Sequence, residues 1–332
     1  MNTKRATEIL DHAASKRVLV IGDLMLDEFV WGKVGRISPE APVPVVEVTG
    51  ESFYPGGAAN VARNLREFVE RTSVIGLIGT DRGGQQLRDL LEQCNIATDS
   101  LIADPNFSTI VKTRIIARQQ QVVRVDREKI RAPDHAQVAR VIENIRAQLN
   151  TIDAIVFEDY GKGFLSADLV AQVSQLAFAA GKIITADPNP HHSVEWKNMT
   201  AVKPNRNEAF IAAGIPWSDS IEPAADDKAL LKVGGFLLEK WDTRYLLITL
   251  GEQGMMLFDR DGSSHHIPTR ARQVFDVSGA GDTAIALFTL ALCGDATARE
   301  AAEIANHASA VVVGKLGTAT VSREELEQSF ED

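Results

Sequence analysis

Asp276-Val277-Ser278-Gly279-Ala280-Gly281-Asp282 runs straight into the apolar helical stretch Thr283-Ala-Ile-Ala-Leu-Phe-Thr-Leu290. Small residues at a helix start let a ligand approach the backbone closely. The free N–H groups there, with the positive end of the helix dipole, favour an anion. Asp282 adds a carboxylate that repels a phosphate at rest. A general base, taking the proton from a hydroxyl that attacks the phosphate, explains such a residue. Two other readings fit. Gly279 to Ala284 also matches G-x-G-x-x-A, the dinucleotide fingerprint, although that fingerprint normally opens its unit and an acid after its second glycine would face the pyrophosphate. A plain helix start with Asp282 as a stabilising charge is the third.

Working outward, 332 residues suffice for one large α/β domain or two ordinary ones, and 45% apolar residues fit a full core. A net charge of −10 argues against nucleic-acid and anionic-membrane partners. Cys94 and Cys293 have no metal-ligand spacing and read as free thiols in a reducing compartment. The first residues lead into an amphipathic stretch, not a signal sequence, and no run approaches the roughly 20 apolar residues of a membrane span. A cytoplasmic protein is expected.

β-rich runs at Arg17–Ile21, Ser73–Ile78, Ala154–Phe157, Ile183–Ala186 and Tyr245–Thr249 alternate with helical patterns. Those patterns cover Ala59–Glu70, Gln85–Gln93, His135–Leu149, Ala167–Ala180 and Ala229–Trp241, with Asp282–Cys293 and Ala298–Val313 at the end. The alternation predicts an α/β fold with a mostly parallel central sheet flanked by helices. Two stretches break the rhythm. Phe29–Thr49 is rich in Val and Pro, and Ser108–Asp126 reads as strands Thr109–Ala117 and Gln121–Asp126 around a polar turn. Both are expected to project as a small β-sheet lid.

Other constellations carry two readings each. Gly56-Gly57-Ala58-Ala59-Asn60 is either a tight strand-to-helix turn or a binding loop with Asn60 aimed at a ligand. Asp23 and Asp27 follow the first strand, where α/β sheets bind ligands, yet loop carboxylates also cap helices. Asn205 and Glu208 fit a capping box, and equally an oxygen-ligand site beside a Mg²⁺–phosphate. Leu250-Gly251-Glu-Gln-Gly254 is a turn or a nucleotide contact. His191-His192 and His265-His266 read as surface residues. Neither a P-loop nor the protein-kinase signatures occur.

Together these motifs resemble the ribokinase-like (phosphofructokinase-B) carbohydrate kinases, nearly end to end. Gly56 to Asn60 resembles the family's N-terminal signature, and Asn205 and Glu208 its N-x-x-E motif. Asp276 to Asp282 resembles its D-T-x-G-A-G-D signature, with Val277 in place of Thr. Gly35-Arg-Ile-Ser-Pro-Glu-Ala-Pro-Val-Pro-Val45 and Glu158-Asp-Tyr-Gly-Lys-Gly163 are similar to the group acting on D-glycero-β-D-manno-heptose 7-phosphate in lipopolysaccharide inner-core synthesis. That group is often fused to a nucleotidyltransferase. This chain has no H-x-G-H motif and ends at Asp332, so a single kinase domain over 1–332, without the nucleotidyltransferase, is expected.

The resemblance implies ATP and Mg²⁺ as cofactors and transfer to the anomeric hydroxyl, giving a 1,7-bisphosphate. It implies Asp282 as base and the N–H groups of Gly279, Ala280 and Gly281 as the anion hole. It implies Asp23, Asp27, Gly57 and Asn60 on the sugar, and Asn205 with Glu208 reaching Mg²⁺ through water. Lys112, Arg114, Arg36 and Lys162 are the candidates for the 7-phosphate. Thr249, Gly251, Gly254, Asn205 and Asn306 would line the nucleotide. Apolar lid residues, among them Val43, Val45, Val46, Val48, Ile110 and Ile115, need cover, and a homodimer through the lid sheets supplies it.

Overall fold

The computed structural model describes residues 1–118, 120–217, 223–271 and 274–331. Its central sheet has eight strands, which run in space as β14 (Ser264–Ile267), β13 (Met255–Asp259), β12 (Tyr245–Thr249), β11 (Ala201–Val202), β10 (Ile183–Asp187), β9 (Ala154–Glu158), β1 (Arg17–Gly22) and β4 (Arg71–Ile75). Pairing is parallel from β12 to β4, and the β12–β13 and β13–β14 pairs are antiparallel.

Alternation along each strand feeds two cores. Val18, Val20, Ala154, Val156 and Leu247 face one layer, whereas Leu19, Ile21, Ile155, Phe157 and Ile248 face the other. All ten are at most 1% exposed, as expected of strands covered on both faces. The first layer holds helices α2 (Ala58–Arg66), α8 (Ala280–Cys293) and α9 (Ala298–Val313); the second holds α4 (His135–Gln148), α5 (Ala167–Ala179) and α7 (Lys228–Trp241).

A second sheet of four strands projects from this body, in the order β3 (Pro44–Gly57), β2 (Leu24–Ile37), β7 (Ile110–Ala117), β8 (Gln120–Arg127). It is the expected projecting sheet, but longer than Phe29–Thr49 suggests. β2 and β3 pair from Leu24↔Gly57 outward, and Leu24, Met25 and Leu26 are buried in the main body. The polar turn between β7 and β8 includes Gln119, which lies outside the described residues. Ile110 is not on an exposed lid face: it is 2% exposed and belongs to the core.

Two further boundaries differ from expectation. The run Ser73–Ile78 is not one strand. It breaks at Gly76, where a Cβ would meet Leu24 Cγ at 2.5 Å, and continues as β5 (Leu77–Gly79), paired with β6 (Ile102–Asp104). The helix expected at Ala59–Glu70 ends at Arg66, because the N–H groups of Phe68 and Val69 turn back to the Leu65 carbonyl.

Candidate active site

Parallel register assembles the floor of the site. Gly22, Glu158 and Asp187 are neighbours at the carboxyl ends of β1, β9 and β10, and Lys203 follows the end of β11. A Cβ at Gly22 would lie 2.1 Å from the Glu158 carbonyl, so glycine is required there. Lys203 Nζ meets Asp187 Oδ2 at 2.8 Å. Burial raises the pKa values of Glu158 and Asp187, and each further resists ionising because of nearby carboxylates. Burial works against the Lys203 charge, but Asp187 and Glu208 outweigh it and raise its pKa. Glu158 Oε2 is buried without a hydrogen-bond partner among the described residues.

Side-chain capping distinguishes this region from the rest of the molecule. Eight of the ten described helices begin with a side chain that accepts a backbone N–H bond at the N-cap. The two without one, α2 and α8, start from Gly57 and Gly279, both at positive φ (59° and 78°), and both glycines line one small pocket. At α8 the Ala280 N–H bonds back to the Val277 carbonyl at 3.2 Å, so this member of the expected anion hole is occupied. The N–H groups of Gly279, Gly281 and Asp282 have no acceptor among the described residues. Orphan donors with no side-chain cap form a ready anion site. Asp276 braces the turn, its carboxylate accepting from the N–H of Ser278 (2.9 Å) and of Gly317 (3.1 Å).

Asp282, 4% exposed, is held from two sides. Its Oδ2 accepts from Asn60 Nδ2 at 2.7 Å and its Oδ1 from the Tyr160 hydroxyl at 2.8 Å. Burial raises its pKa, and the Asn60 and Tyr160 bonds and the Lys203 charge oppose the rise. Asn60 therefore serves the acid directly. Asp23 also acts differently from a sugar contact: its carboxylate accepts the N–H groups of Tyr160 (3.0 Å), Lys162 (2.9 Å) and Phe164 (3.1 Å) and so fixes the loop after β9. Burial lifts its pKa to about 6 against those three bonds.

The small pocket, about 170 Å³, brings together Asp27, Gly57, Lys112, Arg114, Gly279 and Asp282, with Tyr160, Ser278 and Thr318. Arg114 is ion-paired to Asp27. Lys112 has no ion pair among the described residues; its ammonium lies 5.3 Å from the Tyr160 ring centroid, and burial lowers its pKa. Lys162 is near enough to Lys112 to depress that pKa, but it pairs with Glu128 at 2.7 Å and does not line the pocket. Arg36 is not brought in. It sits on the exposed tip of the β2–β3 hairpin, nine residues beyond Asp27, roughly 30 Å along the strand at the usual rise.

Across the α8 start lies a groove of about 630 Å³, lined by Thr249, Gly251, Gly254, Ala280, Gly281 and Asn306. Val274, Val277 and Val313 give it apolar walls. The Asn306 amide is committed to the Pro268 carbonyl at 2.7 Å. Leu250–Gly254 is indeed a turn, and a Cβ at Gly254 would meet the Ile267 carbonyl at 2.1 Å. Asn205 bridges Thr249 and forms the full capping box of α6 (Arg206–Ala213) with Glu208, at 2.9 and 2.7 Å. No cluster of three or more His, Cys, Asp or Glu able to hold a metal occurs among the described residues. The histidine pairs are less superficial than expected: His192 Nδ1 lies 2.9 Å from buried Asp159, and His266 Nε2 bonds the Gln253 carbonyl at 2.7 Å.

Tyr160, Lys203, Glu158, Asp187 and Thr318 received no role from the sequence, although Glu158 and Tyr160 lie in the quoted stretch Glu158–Gly163. Their common signal is position, since all but Thr318 sit at or just past the carboxyl ends of parallel strands.

Residues 15–325 match the family model described as pfkB family carbohydrate kinase. The chain is 41% identical over 328 residues to the bifunctional protein HldE of Geobacter sulfurreducens, covering 98% of this chain and 65% of that protein. It is 40% identical to HldE of Helicobacter hepaticus, with 95% and 64% covered. It thus spans just under two thirds of these curated relatives. In fold it is similar to phosphofructokinase-2 of Escherichia coli in complex with potassium (TM-score 0.75, 17% identity, 96% and 98% covered). It is also similar to ribokinase of Arabidopsis thaliana complexed with ribose and ATP (TM-score 0.70, 16% identity, 96% and 99% covered).

Proposed function

The chain belongs to the pfkB family of carbohydrate kinases and is an ATP-dependent sugar kinase; from that premise we propose that its acceptor is D-glycero-β-D-manno-heptose 7-phosphate. The product is the 1,7-bisphosphate, on the route to ADP-heptose for the lipopolysaccharide inner core. The observation that carries the chemistry is Asp282: a buried carboxylate, bonded by Asn60 and Tyr160, at the start of an uncapped helix between a small charged pocket and an apolar groove. The acceptor rests on the heptose-kinase-like motifs and on the ammonium of Lys112 in that pocket, which has no ion pair among the described residues.

The sugar occupies the small pocket and ATP the groove. Asp282 takes the proton of the attacking hydroxyl. The N–H groups of Gly279 and Gly281 stabilise charge on the transferred phosphoryl group. Asp27 accepts sugar hydroxyls, and Lys112, beside Arg114, takes the distal phosphate. Glu208 and Asp187, beside the buried Lys203 ammonium, would offer hard carboxylate oxygens to Mg²⁺, which characteristically uses one or two carboxylates. Bound there, Mg²⁺ would neutralise charge on the nucleotide phosphates.

The second sheet acts as a lid and as the interface of a homodimer. Ile37, Val43 and Val48 are 61%, 51% and 54% exposed on its hairpin, and every residue of β8 is exposed. A second copy covers such a surface through an isologous contact. No helix among the described residues is long and apolar enough to cross a membrane; ATP and a sugar phosphate as substrates place the work in the cytoplasm. The test is ADP release with heptose 7-phosphate, followed by NMR location of the new phosphate. Turnover with a phosphate on C1 is the expected result. Preference for another sugar would replace the acceptor, and bound ATP without turnover on any sugar would mark a sensor.

A further inference from the structure

Tyr160 meets residues of both the main body and the projecting sheet in the small pocket. Its backbone N–H is held by Asp23 at 3.0 Å, and its hydroxyl reaches Asp282 Oδ1 at 2.8 Å. One side of its ring packs toward Gly57, where an added Cβ would lie 3.5 Å from Tyr160 Cδ2. The ammonium of Lys112, from the projecting sheet, lies 5.3 Å from the ring centroid. An aromatic ring fixed at so many points has little freedom to move the group it bonds.

From this geometry we infer that Tyr160 is a positioning residue for the phosphoryl-transfer base: its hydroxyl orients the Asp282 carboxylate and stabilises its charged form. The inference rests on the reading of Asp282 as the base. With Asn60 bonding Oδ2, each carboxylate oxygen has one donor, and a lone pair remains for the acceptor hydroxyl. The charged groups around Asp282 divide. Lys203 favours its ionised form, while Asp27, Glu158 and Asp187 oppose it. Arg114 offsets Asp27 through their ion pair. The two hydrogen bonds therefore favour the charged form of a buried base.

The phenol remains a donor throughout. Burial, and then the charge of Asp282, push its pKa well above the ordinary value. The ammonium over the ring draws electron density from the phenol and strengthens the O–H as a donor. In the reaction Asp282 gains the hydroxyl proton and the phenol loses none, so Tyr160 acts only through Asp282.

Tyr160→Phe keeps the ring, the backbone bond and the Lys112 contact, and removes only the hydroxyl. The expected result is that the acidic limb of kcat/KM moves to higher pH and kcat falls about 10-fold, with acceptor KM within a few-fold. The same upward direction should appear in a ¹³C NMR titration of the Asp282 carboxyl in the free protein, with no acceptor present. A carboxyl titration matching the wild type would overturn the inference. Absence of turnover by the wild type would instead overturn the reading of the reaction, and the carboxyl titration would still judge Tyr160. Should Tyr160→Phe fail to fold, 3-fluorotyrosine placed at position 160 gives the opposite sign: a stronger donor lowers the acidic limb, and an unmoved limb counts against the role.

Discussion

The two walls of the small pocket are built on different principles. On the body side, Asp282, Asn60 and Asp23 are 4%, 0% and 3% exposed, and every carboxylate oxygen of the two acids has a donor. On the projecting side, Lys112 and Arg114 are half-buried on β7, next to a strand exposed along its whole length. The first wall is fixed by hydrogen bonds before any ligand arrives, although buried Asn60 Oδ1 has no partner among the described residues. The second stands on a sheet with an open edge. On the proposed function, the groups that would meet a transition state within fractions of an ångström sit on the rigid wall. The groups that would choose the acceptor sit on the projecting wall.

This contrast can be broken from either side. The largest effect is expected on the body wall. Asp282→Asn keeps the size but cannot take a proton, and it offers one acceptor oxygen where Asp282 offers two to Asn60 and Tyr160, so kcat should fall by roughly 10²–10⁴-fold, while ATP and sugar binding, measured by calorimetry, survive. Activity within a few-fold of wild type would remove Asp282 from the role of base.

Gly281→Val comes next. A Cβ at Gly281 meets only Lys203 Nζ at 3.5 Å and Asp187 Oδ2 at 3.8 Å, ordinary contact distances, and the backbone there is not left-handed. The fold should persist by circular dichroism while turnover drops about 100-fold, since added methyl groups block the approach of the phosphate. A folded, fully active variant would dissolve the anion hole. Gly279 is the harsher position, because φ is +78° and a Cβ lies 2.9 Å from Asn60 Nδ2.

On the projecting wall the signature should move from kcat to KM. Lys112→Met is expected to raise KM for a phosphorylated acceptor about 10- to 100-fold, the worth of one charged hydrogen bond, and to leave kcat and the KM for ATP nearly unchanged. Equal losses on phosphorylated and unphosphorylated sugars would show that Lys112 does not read the phosphate. The smallest catalytic effect belongs to the joint change Val46→Asp and Val48→Asp, which should weaken the dimer and raise the sugar KM a few-fold as the lid loses support. Light scattering that finds the wild type monomeric at micromolar concentration, or an interface lying on the outer helices, would sink the dimer.

Much of the body was legible from one dimension. The apolar runs at Arg17–Ile21, Ala154–Phe157, Ile183–Ala186 and Tyr245–Thr249 became strands within a residue of their expected ends, because strands covered on both faces are apolar throughout. The break at Gly76 was not legible, since it depends on Leu24 packing against it from another strand. The extent of the projecting sheet was hidden likewise. Leu24–Glu28 and Phe53–Gly57 become strand by pairing with each other, which no local periodicity announces.

For this protein, the order of residues alone determined the uncapped, glycine-led turn at Gly279–Gly281 and the acid that follows it. Both are local properties of backbone freedom and helix ends, and they brought the carbohydrate-kinase resemblance with them. Only the tertiary structure decided how the polar residues divide their work. It sent Asp23 to brace a loop, Asn60 and Tyr160 to hold Asp282, and Arg36 to a distant tip, and it left Lys112 as a pocket cation without an ion pair among the described residues. A carboxylate, an amide or an ammonium can bond many partners. Which one it meets depends on strand register and packing between segments as far apart as 222 positions, from Asn60 to Asp282; its identity in the sequence does not carry that information.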